Sequence, residues 1–600
     1  MTPNEPRLAI GEPIANSTRY ALVLGLQYGR AMKHATGARI WAGTALVFAS
    51  STAFAAPADI EIYPHADLRG ARAGLAPHDI NGKPYMRKQV GAGFEHAYVA
   101  VCGTSVLIAG VGSYERDAVG VTPDMHAFGK PINTNDRLQT MVVAGQLSKD
   151  GFEFGGAYYV LPELSGGNRN RDGMKPGVAC LDAEAGLFVV DANYAPINLA
   201  ETYAAVFKVG RNEADEIVPT QLGPAVSVLA NTDDNCSDRD YQDLLVRKTA
   251  TGYRVNLTGS CNGNGSDVAW VTYFDVACGA ACTITAGPKA QVSQGQIERY
   301  RPQTYQLGPD TFMAIGTEGD AQPPTNGISA TIFQGDTLAL VSSTTIAATT
   351  TTTQGAFHST MSHGAQIAPD TFLVTYQQRN GRQRREGKGG TTFMMGVLHA
   401  DPAGDARWLV EPKAGLIEGF SATHHGACTV HYGDVSAPKT GAFLISASPN
   451  GASAATGTFV GYDGSAVEVG SSINLSSNID SGLLSNYYGE NPGNQGKNSL
   501  YCATIENPSY GVKGGYRPNV KEFVVVPATS RITSESGTLA EKLALDIVLV
   551  PALTDETIDP TAAATGCGCS APATGGNAAG SFGIMLACAA WLRRRRGARR

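Results

Sequence analysis

The sequence predicts an all-β protein, an irregular β-propeller of about seven blades. Three observations carry that expectation. Helical periodicity is scarce, whereas short alternating or continuous runs of β-branched and aromatic residues, bounded by Gly, Pro, Asn and Asp, fill some 500 residues. One strand phrase recurs, Leu307-Gly308-Pro309-Asp310-Thr311-Phe312-Met313 being answered by Ile367-Ala368-Pro369-Asp370-Thr371-Phe372-Leu373. Looser versions of the phrase then appear along the whole body.

Those versions are Ser105-Val106-Leu107-Ile108, Gly186-Leu187-Phe188-Val189-Val190, Asp243-Leu244-Leu245-Val246, Gly441-Ala442-Phe443-Leu444-Ile445 and Glu522-Phe523-Val524-Val525-Val526. Together they make seven apolar strands spaced 57 to 81 residues apart, and Tyr300-Arg301-Pro302 and Tyr516-Arg517-Pro518 precede two of them. Each interval has room for three or four strands, the unit of a repeat that buries its faces only against its neighbours. The alternative that the same composition allows is two or more β-sandwich domains. No WD, kelch or sialidase-type signature repeats, so no propeller family is named.

In chain order, Met32-Lys33-His34 with Arg39 forms a basic region, Ile40 to Phe48 an apolar one, and Ala53-Phe54-Ala55 a small-residue cleavage site. That is a secretory signal over 32–55. Residues 1–31 read as a mis-assigned extension, with translation starting at Met32. Residues 56–93, rich in Gly and Pro, lead into the propeller-like body, 94–553. Within the body, the threonine-rich run Ser342 to Thr353 reads as a strand or loop between blades. Residues 554–566 form a linker.

Eight cysteines lie in the body: Cys102, Cys180, Cys236, Cys261, Cys278, Cys282, Cys428 and Cys502. An even number in an exported chain is a disulfide framework, although eight cysteines admit 105 pairings. Cys278 with Cys282 closes a tight loop, Cys236 with Cys261 braces a hairpin, and Cys428 suits a partner such as Cys502.

The polar loop from Asn231 to Asp240 offers Asn231, Asp233, Asn235, Asp238 and Asp240 as oxygen ligands for a hard cation, calcium. Cys236 stands where an EF-hand loop needs glycine and Gln242 where it needs the bidentate glutamate, so a solvated acidic turn is the alternative. The histidines gather as His358 and His363, then His424, His425 and His431. Loops of adjacent blades bring such imidazoles to one face, where they bind a transition metal or act as general bases. Dispersed histidines are the alternative. Arg379 to Lys388 places five cations in a hairpin loop, suited to anionic polymer or headgroups. There is no H-E-x-x-H and no G-x-S-x-G. Gly493 to Asn498 lacks the Ser/Thr of a phosphate loop.

The chain ends in Gly566-Cys567-Gly568-Cys569-Ser570, an apolar segment from Phe582 to Leu592, and Arg593, Arg594, Arg595, Arg596, Arg599 and Arg600. With the small residues Gly575 to Gly580 included, the apolar segment is at the lower edge of what spans a bilayer, and the arginines would be held on the cytoplasmic side. The order of cysteine motif, short helix and arginine cluster over 567–600 resembles the myxobacterial sorting segment MYXO-CTERM. The resemblance implies processing at Cys567 and Cys569 by a rhomboid-type or CAAX-type membrane protease, and delivery to the cell surface from a transient inner-membrane anchor. Of 46 basic and 53 acidic residues, eleven and two lie in the ends 1–55 and 567–600, which leaves a body of formal charge −16. Such a body does not suit nucleic acid.

The sequence thus favours a cell-surface module that binds a protein or glycan. The alternative is a surface hydrolase or lyase whose site is built from loops on one propeller face.

Overall fold

A computed structural model describes residues 61–64, 78–80, 83–85, 94–113, 138–148, 151–160, 176–194, 201–230, 236–263, 267–291, 303–318, 327–348, 350–352, 355–380, 391–417, 425–447, 455–475, 502–506, 520–532 and 542–554. All regular structure among them is β-strand and turn. No helix among the described residues is long and apolar enough to cross a membrane. The signal segment, Cys567, Cys569 and the apolar tail lie outside the described residues.

The strands begin with β1 (Glu61–Pro64) and a small hairpin of β2 (His78–Ile80) and β3 (Lys83–Tyr85). Sheet I follows as an antiparallel meander of β4 (Phe94–Cys102), β5 (Ser105–Ser113), β6 (Leu138–Ser148) and β7 (Gly151–Tyr159). Sheet II contains β8 (Val178–Asp182), β9 (Leu187–Tyr194), β10 (Glu201–Arg211), β11 (Ile217–Gln221) and β12 (Val226–Leu229), with β11 and β12 both on β10. Sheet III contains β13 (Cys236–Thr249), β14 (Gly252–Gly263), β15 (Asp267–Cys278) and β16 (Cys282–Gln291). Sheet IV contains β17 (Gln303–Gly308), β18 (Thr311–Glu318), β19 (Gly327–Gln334) and β20 (Leu340–Ala347).

Sheet V places the short β21 (Thr350–Thr352) on the free edge of β22 (Gly355–Ala368), followed by β23 (Thr371–Asn380), β24 (Thr391–Ala400) and β25 (Ala406–Ala414). Sheet VI contains β26 (His425–Asp434), β27 (Lys439–Ala447) and β28 (Ala455–Tyr462), edged by β29 (Val467–Val469) and β30 (Ile473–Asn474). Sheet VII contains β31 (Ala503–Glu506), β32 (Val520–Ile532) and β33 (Lys542–Thr554), and its fourth strand is β1. Two short parallel pairings, Gly433 with Leu553 and Asp434 with Thr554, tie sheet VI to sheet VII.

Neighbouring sheets pack face to face, because each carries an apolar face that only another sheet can cover. The first strands touch in series, β4 with β8, β8 with β13, and so on through β17, β22, β26 and β31. β31 and β32 touch β4, which returns the series to its start. The cores follow the same order. Phe207 and Val525 lie in one cluster with Ile108, joining sheets VII, I and II. Separate clusters join II with III, III with IV, IV with V, V with VI, and VI with VII. The arrangement is propeller-like.

The recurring phrase marks the second strand of a sheet. Leu107, Phe188, Phe312, Phe372, Phe443 and Phe523 occupy β5, β9, β18, β23, β27 and β32, and all are fully buried. Burying a side chain of this size contributes roughly 1.5–3 kcal/mol. Sheet III departs from the pattern. Asp243 to Val246 lies in its first strand, β13, and the buried aromatic is Phe274 on β15, opposite Val255 of β14. In β14 the apolar residues Val255 and Leu257 alternate with Arg254 and Asn256, so no continuous apolar run marks it.

Three other expectations are refined. The threonine-rich run forms strands β20 and β21. Part of the segment 56–93, read as a lead-in to the first sheet, is instead β1 of the last sheet. Cys236 to Asp240, read as half of a polar loop, is the start of β13.

The two ends of the sheets differ. Most first-to-second and third-to-fourth strand connections are short: 103–104, 183–186, 250–251, 309–310, 369–370, 435–438, 149–150, 212–216, 279–281, 335–339, 401–405 and 463–466, with 507–519 the exception. This is the turn end. Aspartate and asparagine side chains cap several of these turns: Asp182 Oδ1 accepts the N–H groups of Glu184 and Ala185, Asn212 Oδ1 those of Ala214 and Glu216, and Asp463 Oδ1 those of Ser465 and Ala466. At the opposite end, where the first strands begin, the connections include 114–137, 292–302, 381–390 and 475–502.

Candidate functional site

Toward that opposite end, buried polar side chains form a series of links between sheets. Asp191, Asn193, Thr202, Gln242, Thr258, Thr304, His363, Thr375, Gln377, His425 and Ser446 are all buried. Burial of so many polar groups is tolerated only where they bond one another.

Between sheets II and III, Gln242 Nε2 donates to Asn193 Oδ1 at 2.8 Å and to Thr202 Oγ1 at 2.7 Å, and Thr202 Oγ1 donates to Asn193 Oδ1 at 2.9 Å. Beside them Asp191 Oδ1 accepts the N–H of Gly177. Its Oδ2, like Gln242 Oε1, is buried with no hydrogen-bond partner among the described residues. Burial raises the Asp191 carboxyl well above the ordinary range, and the Asp243 charge raises it further.

Between sheets III and IV, Asp243 Oδ2 accepts the Thr304 N–H at 2.6 Å, and the Thr258 and Thr304 hydroxyls hydrogen-bond each other. Desolvation pushes Asp243 up to about 6, partly opposed by the Thr304 and Leu244 N–H groups. Between sheets IV and V, Gln303 Oε1 accepts from the Tyr305 hydroxyl at 2.6 Å and from the Gly364 N–H, while Gln303 Nε2 lies 3.4 Å from His363 Nδ1. Between sheets V and VI, the His363 and His425 rings meet edge to face at 4.8 Å, with Phe393 5.1 Å from His425.

Of the predicted histidines, His363 and His425 therefore come together, but each is only 1% exposed and they stand in the packed boundary between two sheets rather than in a cleft. His431 is apart from them. It is exposed on β26, and its Nδ1 lies 3.5 Å from Glu522 Oε2 of sheet VII. The Glu522 carboxyl is raised by burial and lowered by His431. The His358 side chain, His424, and the ligand atoms of Asn231, Asp233, Asn235, Asp238 and Asp240 lie outside the described residues.

The cysteines form Cys102–Cys180 between sheets I and II, Cys428–Cys502 between VI and VII, and Cys278–Cys282 across the β15–β16 turn. The last two are the pairings expected from sequence. Cys236 and Cys261 lie on the paired strands β13 and β14, with their side chains outside the described residues.

Two features escaped sequence reading. At the turn end of sheet V, His399, Asp401 and Asp405 bring three ligand atoms within 4.8 Å of one another. Asp401 Oδ1 already accepts the N–H groups of Ala403 and Asp405, and Arg407 Nε lies 3.0 Å from Asp405, so the cluster reads as a capped turn. At the III–IV boundary, Arg254 forks onto both Asp275 oxygens at 2.7 and 2.9 Å, and both Arg254 and Arg247 reach Asp336. The Asp-x-x-Gly-Asp turn was a sequence signal for the first. The second joins residues 82 and 89 positions apart and left none.

Chemically, the buried links hold sheets together. Among the described residues they offer no solvent-reachable imidazole at the His363–His425 pair, and the Asp191 carboxyl is wholly enclosed.

No protein-family model matches the sequence, and no curated protein matches it. Solved structures do. An α-L-arabinanase of Penicillium chrysogenum with arabinobiose is 9% identical over 63% of this chain and 93% of its own, with a TM-score of 0.37. A sialidase of Trypanosoma rangeli is 8% identical over 81% and 59%, with a TM-score of 0.36. A fucose-specific lectin of Aleuria aurantia is 10% identical over 63% and 96%, with a TM-score of 0.30.

Proposed function

We propose that the chain is an exported, surface-anchored propeller of seven blades that recognises a glycan or protein ligand. The observation that supports recognition over catalysis is the use of the buried polar side chains. Asn193, Thr202, Gln242, Thr304, Gln303 and His363 are engaged in bonds within and between sheets, which makes them scaffold. Recognition then falls to the connections carried at the opposite end, as is general for loops on a rigid support.

The test is ligand screening with the full-length protein in detergent, on arrayed glycans and on surface proteins, beside turnover assays on labelled polysaccharides. Saturable binding without turnover supports the module. Turnover of a labelled polysaccharide by the same protein would establish the hydrolase or lyase instead.

Anchoring by residues 567–600 and sorting through Cys567 and Cys569 belong to the same proposal. Cys567→Ser with Cys569→Ser is expected to retain the protein in the inner membrane with its tail intact, and unchanged surface display refutes the sorting. Calcium held by Asn231, Asp233, Asn235, Asp238 and Asp240 is expected to raise the melting temperature, and a melt that chelator leaves unchanged refutes it.

A further inference from the structure

The body's last strand leaves its sheet at the turn end. β33 runs toward the turn end, and its last residues, Leu553 and Thr554, lie beside Gly433 and Asp434 at the start of the β26–β27 turn. The Val435 N–H donates to the Thr554 carbonyl at 2.8 Å, which fixes the exit point. β1 is antiparallel to β33, with Glu61 opposite Leu549 and Pro64 opposite Asp546. Its first residue is therefore also its nearest to the turn end.

We infer that the turn end of the propeller faces the membrane and that the opposite end, where the first strands begin, points away from it. This rests on the proposed anchor at 567–600. A flexible chain as long as the linker from Thr554 to Gly566 has a root-mean-square reach of about 20 Å. A strand the length of β28, eight residues, spans about 26 Å. The two ends of a sheet thus differ in distance from the bilayer by more than the linker's mean reach, and the turn end is the one tethered.

The experiment uses the full-length, uncleaved chain reconstituted in vesicles that carry a headgroup quencher. A dye-accepting peptide tag is inserted either at Gly464, in the exposed β28–β29 turn, or between Ala447 and Ala455, at the other end of the same sheet. Quenching at Gly464 is expected to exceed quenching at the second site roughly twofold or more, given the strand-length separation. Equal quenching or the reverse order overturns the orientation while leaving the anchor in place. Recovery of the protein free of vesicles overturns the anchor itself, and the orientation with it. Melting curves of both tagged proteins, matched to the untagged chain, establish that the insertions leave the fold intact.

Discussion

The Asp243 carboxylate on β13 accepts the Thr304 N–H on β17 at 2.6 Å, so one charged side chain ties sheet III to sheet IV. The bond stabilises the charge, yet desolvation outweighs it and holds the group near pH 6. A carboxyl whose folded value is raised binds its proton more tightly in the native state. Native stability therefore falls as pH rises from the ordinary aspartate range to about 6, and is level above it.

Asp243→Asn removes that dependence. Denaturant titrations at pH 4 and pH 7 are expected to show the wild type losing up to about 3 kcal/mol relative to the variant over this interval. Parallel pH profiles for the two proteins would contradict the assignment.

Asp191 shifts in the same sense. Its carboxyl is fully enclosed and raised well above the ordinary range, so the native state keeps its proton after the unfolded chain has released it. Relative to Asp191→Asn, the wild type is expected to lose stability as pH rises above the ordinary aspartate range. Thermal melts of both proteins from pH 4 upward read this directly, and parallel profiles would contradict it.

Gly223 joins β11 to β12 with φ at +102°, and a Cβ there would collide with the Cys282 carbonyl of sheet III. Gly223→Ala is expected to destabilise by at least about 2 kcal/mol, from backbone strain together with the clash. Chemical denaturation checks it, with Gly210→Ala as a control, because nothing lies within 4 Å of a Cβ at Gly210.

The Cys102–Cys180 and Cys428–Cys502 bonds span 78 and 74 residues and each ties neighbouring first-strand regions. Replacing either pair by serine is expected to cost about 4 kcal/mol on the chain-entropy estimate. The Cys278–Cys282 bond closes a separation of only 4 residues, and its loss is expected to cost less. Unfolding curves of the three double variants rank the bonds.

Much of this was legible in the sequence because it is local. Strand residues reveal themselves by a period of two, and the phrase around Phe312 and Phe372 marked the second strand of its sheet wherever a buried aromatic or leucine sat there. In sheet III the apolar run Asp243 to Val246 marks the first strand instead, because the buried aromatic, Phe274, is on the third. The histidines were expected at a face because their clustering in sequence is visible, whereas their enclosure is not. Only the packing of β22 against β26 and β27 buries His363 and His425.

By itself, the sequence determined the all-β class, one apolar strand segment in each of seven sheets, and the disulfide framework, each read from neighbours along the chain or from the even cysteine count. The tertiary structure decided that Glu61–Pro64 completes a sheet whose other strands lie at 503–554, that Asp191 and Asp243 are driven up by burial, and that the body's last strand leaves from the turn end. These depend on which sheets meet, and that follows from each sheet covering its apolar face with a neighbour far away in sequence.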